Sequence, residues 1–128
     1  MILDTSAILA ILLEEPGHER LLRKFLAAEH KGVGAPTLLE SSMVLSRRHG
    51  NASAGIVDRW VRRFDLSVVN FGEIHWRTAA EAFQRFGKGR HPASLNFGDC
   101  LSYATAKLAD RPLLYVGEDF ARTDLAAA

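Results

Sequence analysis

The chain has 128 residues, 48% of them hydrophobic and 24% charged, and a formal net charge of +1. This is the composition of one globular domain large enough to bury a core, and it excludes a disordered or fibrous chain. It also excludes a globally basic nucleic-acid binder, so any grip on phosphates must come from a local patch.

The single cysteine, Cys100, allows neither a disulfide framework nor a thiolate zinc site and fits a reducing cytosol. Asp4 interrupts the apolar start and no positive segment precedes it, so the N-terminus does not read as a signal peptide. No apolar run approaches the length of a membrane span, and no membrane partner is expected.

In chain order, strand and helix patterns alternate. Met1–Leu3 reads as a buried strand that ends abruptly in Asp4. Thr5–Leu13 is apolar on nearly every side, the mark of a buried helix. A second helix runs from Pro16 to about His30, with Leu21, Leu22, Phe25 and Leu26 inward and Arg20, Arg23 and Lys24 outward. Val33–Ala35 is a short strand ended by Pro36. A third helix starts at Thr37, carries Leu38, Leu39, Met43 and Leu45, and ends near His49 with Arg47 and Arg48 in its last turn. After a polar loop over Gly50–Gly55, Ser53 caps a helix bearing Ile56, Val57, Trp60, Val61 and Phe64. Leu66–Phe71 fits a strand, and Glu73–Phe86 a helix with Ala79, Ala80, Phe83 and Phe86 inward. A glycine-rich, positive loop over Gly87–Leu95 leads into a helix over Phe97–Ala109 that uses Leu101, Ala104 and Leu108. Leu113–Val116 is the last strand, and the tail from Gly117 is mostly loop.

Alternating β and α units with short connections predict a single α/β domain over residues 1–128, a mostly parallel sheet with helices on both faces. In such sheets, ligand sites form outside the carboxyl ends of the strands. Asp4 ends a strand, Asp119 follows one, and Glu40 and Asp99 lie at helix starts that share that edge. All four therefore converge on one cleft. Local capping competes for each: Thr37-x-x-Glu40 and Asn96-x-x-Asp99 resemble capping boxes, and Asp4 could cap the next helix. The conjunction favours a shared site, because crowded carboxylates repel unless a cation neutralises them. Hard oxygen donors select Mg²⁺, with Mn²⁺ as a substitute, and such sites hydrolyse phosphodiesters.

Taken together, the Met1-to-Ala7 stretch, Glu40, the Leu95–Ala104 segment around Asn96-Phe97-Gly98-Asp99-Cys100, and Leu113–Phe120 resemble a PIN domain. More narrowly, they resemble the VapC-type toxins of toxin–antitoxin pairs, over essentially the whole chain. The resemblance implies an α/β/α sandwich and a Mg²⁺-dependent endoribonuclease directed at tRNA or rRNA. It further implies a cognate antitoxin that inserts into the acidic cleft, and a homodimer.

Carried over residue by residue, Asp4, Glu40 and Asp99 match the core acids. The fourth is Asp119, with Glu118 and Asp124 as alternatives; Glu118 stands where the family more often has aspartate. Asp4 and Asp99 are assigned as the main direct metal ligands, with Glu40 and Asp119 completing the shell. Ser6 and Asn96 are candidate hydrogen-bond partners of those acids, with helix capping as the competing role. Arg85, Lys88, Arg90 and His91 are candidate phosphate contacts, against the alternative of a solvated loop. Trp60 fits the core better than a base-stacking site, and Cys100 reads as a small buried hydrophobe. The competing functions are a non-catalytic module on the same fold and a housekeeping RNA-processing nuclease. Aspartyl phosphotransfer lacks its second aspartate, since Ser6 stands there.

Overall fold

In a computed structural model, which describes residues 1–53 and 55–128, four short strands form one parallel sheet. They are β1 (Ile2–Leu3), β2 (Gly32–Gly34), β3 (Ser67–Val69) and β4 (Leu113–Leu114), in the order β3-β2-β1-β4. Ile2 aligns with Gly32 on one side and Leu113 on the other. The helices are α1 (Thr5–Leu12), α2 (His18–Ala27), α3 (Ala35–His49), α4 (Ile56–Arg63), α5 (Glu73–Phe86) and α6 (Phe97–Ala109).

Side-chain alternation along the strands builds the three layers. Ile2 and Leu113 point into a core with α5 and α6, which includes Phe86, Tyr103 and Phe120. Leu3 and Leu114, their neighbours, point into the opposite core with α1, α2 and α4. There Phe25 is fully buried, stacked on Trp60 with ring centroids 5.1 Å apart and edge-on to Phe64 at 5.0 Å. Such pairs add roughly 0.5–1.5 kcal/mol beyond the area they bury. Among the described residues, no helix is long and apolar enough to cross a membrane.

The sequence bounds of α5 and α6 are those observed. Elsewhere the ends move. Helix α3 begins at Ala35 rather than Thr37, because Pro36 sits in its first turn, where its missing N–H costs nothing. Glu40 therefore lies in the second turn and takes no part in a capping box. Ser53 does not cap α4: its hydroxyl donates to Gly50 O within a short 3₁₀ turn, and Gly55 is the N-cap. Ala54, within the expected Gly50–Gly55 loop, lies outside the described residues.

Several residues expected inside are exposed. Phe83 faces solvent together with Leu39, Met43, Trp76 and Phe97, while Ala82 takes the buried position expected for Ala80. Helical spacing identifies an apolar stripe, and here the chain itself leaves part of that stripe uncovered. Leu26 and Leu108 are likewise partly exposed.

Candidate active site

The chain winds from β1 to β2 and β3 on one side, then crosses to β4 on the other, so the sheet reverses direction between β1 and β4. The crevice at such a reversal is where open α/β sheets place their sites. Asp4 leaves β1 at this point. Its N–H donates to Leu114 O at 3.0 Å, and only 4% of its surface is exposed. Oδ2 of Asp4 accepts from the Ser6 N–H at 2.9 Å and the Ser6 hydroxyl at 2.5 Å, so the carboxylate caps α1. Ser6 Oγ in turn accepts from the Val116 N–H at 3.0 Å, tying Asp4 to the segment that leads to Asp119.

Helix α3 carries Glu40, and Thr5 holds it: the Thr5 hydroxyl donates to Oε2 at 2.5 Å. Helix α6 carries Asp99. The Asn96 N–H donates to Asp99 Oδ2 at 2.8 Å, and the Asp99 N–H donates to Asn96 Oδ1 at 3.0 Å, a complete capping box. Gly98 packs directly on Glu40: a Cβ at this position would stand 2.8 Å from Oε2 and 2.9 Å from Cδ, and closer still to Oε1. Space for the Glu40 carboxylate thus exists because residue 98 has no side chain. Asp119 is exposed, with no side-chain capping bond.

The four acids interact electrostatically at Asp99. Burial pushes its pKa up and the Asn96 hydrogen bond opposes, while Asp4, Asp119 and Glu40 each push it further, to about 6. All the side-chain charges that move Asp99 are therefore acidic. Among the described residues, no three acids are already gathered at ligand distance. The reason is visible in their bonds: Asp4 turns to Ser6, Glu40 to Thr5 and Asp99 to Asn96. The donor set nevertheless fits a hard divalent cation, being all carboxylate oxygen, and Gly98 keeps room for the Glu40 carboxylate.

Asp124 is engaged elsewhere. It accepts from the Tyr103 hydroxyl at 2.6 Å, Lys107 Nζ at 3.1 Å and Arg85 at 3.2 Å. Burial raises its pKa, but Tyr103, Lys107 and Arg85 outweigh this and hold it down at about 2. The fold therefore favours the charged form, and the stability gained is present above the ordinary value and lost as pH falls through about 2. Asp124→Asn is expected to lower the thermal midpoint at pH 7, with the gap to wild type closing between about pH 4 and 2. Melting curves across that range check it; a constant gap would mean packing rather than charge.

The same contacts place Arg85 beside Lys107, in the last turn of α6, whereas Asp99 is in its first. The offset is eight residues, about 12 Å along the axis. Arg90 lies over the Phe83 ring at 5.5 Å. His91 Nδ1 accepts from the Ala93 N–H, and its ring meets Phe86 edge-on. Lys88 is exposed on the intervening turn. The structure thus brings the acids to one edge and spreads Arg85, Lys88, Arg90 and His91 along α5 and the loop that follows it. Sequence reading passed over Thr5 and Gly98. A glycine in the first turn of a helix, at a propensity cost, was the available signal for the second.

Carboxylates converging on the reversal point of a parallel sheet, beneath helices on both faces, define an acidic-cleft α/β domain. The chain belongs to the PIN domain family, which matches residues 1–125. It is 48% identical over 126 residues to a VapC ribonuclease of Mycobacterium bovis and to Ribonuclease VapC36 of Mycobacterium tuberculosis, covering 98% of this chain and 91% of each relative. Ribonuclease VapC of Mycolicibacterium smegmatis is 39% identical over 127 residues, 99% of this chain and 98% of the relative. Among solved structures, the fold superposes on Mycobacterium tuberculosis VapC20, a Sarcin-Ricin loop cleaving toxin, with a TM-score of 0.82 at 18% identity, covering 99% of this chain and 97% of the other. A toxin–antitoxin complex from Klebsiella pneumoniae gives 0.73 at 15% identity, covering 99% of this chain and 95% of the other.

Proposed function

We propose that this chain is the toxin of a toxin–antitoxin pair, an endoribonuclease that hydrolyses RNA phosphodiesters with the help of Mg²⁺ or Mn²⁺. The observation that carries the reading is the electrostatic convergence of Asp4, Glu40 and Asp119 on Asp99, in a PIN chain nearly half identical to VapC ribonucleases.

Asp4 and Asp99 would hold the cation directly, and Glu40 and Asp119 would complete its shell. The cation, when bound, supplies charge neutralisation at the phosphate and a lowered pKa for coordinated water. The protein's own work is positional. Ser6 and Asn96 fix the orientation of Asp4 and Asp99, and such outer partners are typically worth about 10–100-fold in metal affinity or activity. Thr5 fixes Glu40, and Glu40 or Asp119 orients the attacking water. Lys88 and Arg90, with Arg85 behind them, would offer positive charge to flanking phosphates, and His91 a ring N–H donor. The antitoxin would silence the enzyme by entering the acidic cleft, in the cytosol where both partners meet RNA. The exposed apolar residues Leu39, Met43, Trp76 and Phe97 line adjoining grooves of about 380 and 600 Å³ and suit a homodimer contact.

Purified protein is expected to cut RNA with added Mg²⁺ or Mn²⁺ and to stop in EDTA; cutting that persists in EDTA would overturn the metal requirement. Divalent cation is also expected to raise the thermal midpoint of metal-free protein. At ten times Kd the linkage is about 1.4 kcal/mol, or roughly 4 °C for a domain of this size. Calorimetry at millimolar Mg²⁺ against Na⁺ of equal ionic strength checks this, and equal midpoints would count against carboxylates shared by one ion.

A further inference from the structure

A second groove, of about 380 Å³, runs beside β4 on the α2 side of the sheet. One wall is the chain from Leu113 to Glu118, which leaves β4 after Leu114 and bends from Val116 onward. That wall ends immediately before Asp119. Its Val116 N–H reaches Asp4 through a single intermediary, the Ser6 hydroxyl. The groove therefore abuts the segment that leads to Asp119.

The opposite wall is α2, which contributes Arg20 and Lys24. They are four residues apart, so they share one helical face. Arg20 is exposed, and its guanidinium has no hydrogen bond or ion pair among the described residues. Lys24 Nζ donates to the backbone oxygen of Ala128, which anchors it at the groove edge. Arg23, between them, does not line the groove. The one acid in the lining is Glu118, at the catalytic end. The charge thus changes sign along the groove, with cations on α2 and carboxylates where the cleavage site lies. A polyanion whose reacting phosphate sits among acids and a metal needs this arrangement for its neighbouring phosphates.

We propose that this groove holds the RNA strand flanking the scissile bond, with Arg20 and Lys24 as phosphate-positioning residues. This rests on the ribonuclease reading above. Neither residue touches the reacting atoms, so their loss should weaken substrate binding and leave the chemical step alone.

The test compares wild type with Arg20→Gln, Lys24→Gln, the double variant, and Arg23→Gln as a charge-matched control outside the groove. The double variant is expected to raise KM for a substrate RNA about tenfold, as for two lost solvent-exposed charge pairs, with kcat within twofold. Binding of a fluorescein-labelled single-stranded RNA of mixed sequence should lose about 1.4 from the slope of log K against log salt, roughly 0.7 per phosphate contact. Arg23→Gln should change neither, and midpoints should stay within about 2 °C, with Arg20→Gln alone deciding if Lys24→Gln unfolds. A double variant indistinguishable from Arg23→Gln in KM and in salt slope overturns the proposal. Failure of wild type to cut RNA would overturn the enzymatic reading instead, and the salt slope would still judge the groove.

Discussion

Asp99→Asn is expected to abolish RNA cleavage and, in the same preparation, to raise the thermal midpoint of the metal-free protein. The two effects have one cause. Burial and the charges of Asp4, Asp119 and Glu40 lift the folded pKa of Asp99 to about 6, above its ordinary value. A raised carboxylate pKa means that the fold disfavours the ionised form, so the penalty begins above the ordinary value and is complete above about 6. At pH 7.5 in EDTA the wild type carries that penalty and the asparagine variant does not. Asn at this position can still accept from the Asn96 N–H, so the capping box survives. Activity should fall by more than about 100-fold, the upper end of what an outer-shell partner costs, because a direct ligand is removed. Cleavage within tenfold of wild type would sink the assignment of Asp99. A lowered midpoint at pH 7.5 would show that its carboxylate is structural. Below about pH 4 the two midpoints should meet.

Such a trade of stability for function explains which features were legible in the sequence. The run Met1–Leu3 followed by Asp4 announced a strand ending in an acid, and Asp4 does leave β1 at the sheet's reversal. The bounds of α5 were readable because Gly72 and Gly87 stand just outside it, and those of α6 because Asn96 caps its start and Pro112 follows its end. The capping reading of Asp99 and the shared-cleft reading both describe the structure: its carboxylate caps α6 and feels three other acids. For Glu40 the capping reading does not hold. Thr37 is buried inside α3, so Glu40 is free to meet Thr5 from a strand-to-helix junction 35 residues away.

That contact is invisible in sequence because nothing local requires it. The same holds for Asp124, which looked available as a fourth acid until Tyr103, Lys107 and Arg85 claimed it. Periodicity failed in one consistent way. It marked Phe83 as inward, yet this residue forms an uncovered face with Leu39, Met43, Trp76 and Phe97. An apolar stripe that serves a partner and one that serves the core have the same spacing, and only the packed chain distinguishes them.

Gly98→Ala should lose most of its activity without losing stability. Alanine in a helix is favoured over glycine by up to about 1 kcal/mol, and residue 98 lies in the first turn of α6. On propensity alone the change is beneficial. The new Cβ, however, would stand 2.8 Å from Glu40 Oε2 and nearer still to Oε1. The backbone need not yield, because what it meets is the end of a flexible side chain. Glu40 can swing away, at the cost of its hydrogen bond from Thr5. The carboxylate then leaves the cleft and cleavage should fall about 10–100-fold, the range for losing a positioned metal-shell partner. A double-mutant cycle separates this from general damage. If Gly98 acts only through Glu40, Glu40→Ala with Gly98→Ala is no slower than Glu40→Ala alone. Additive losses would place the role of Gly98 elsewhere, and a midpoint lowered by several degrees would mean that α6 itself had moved.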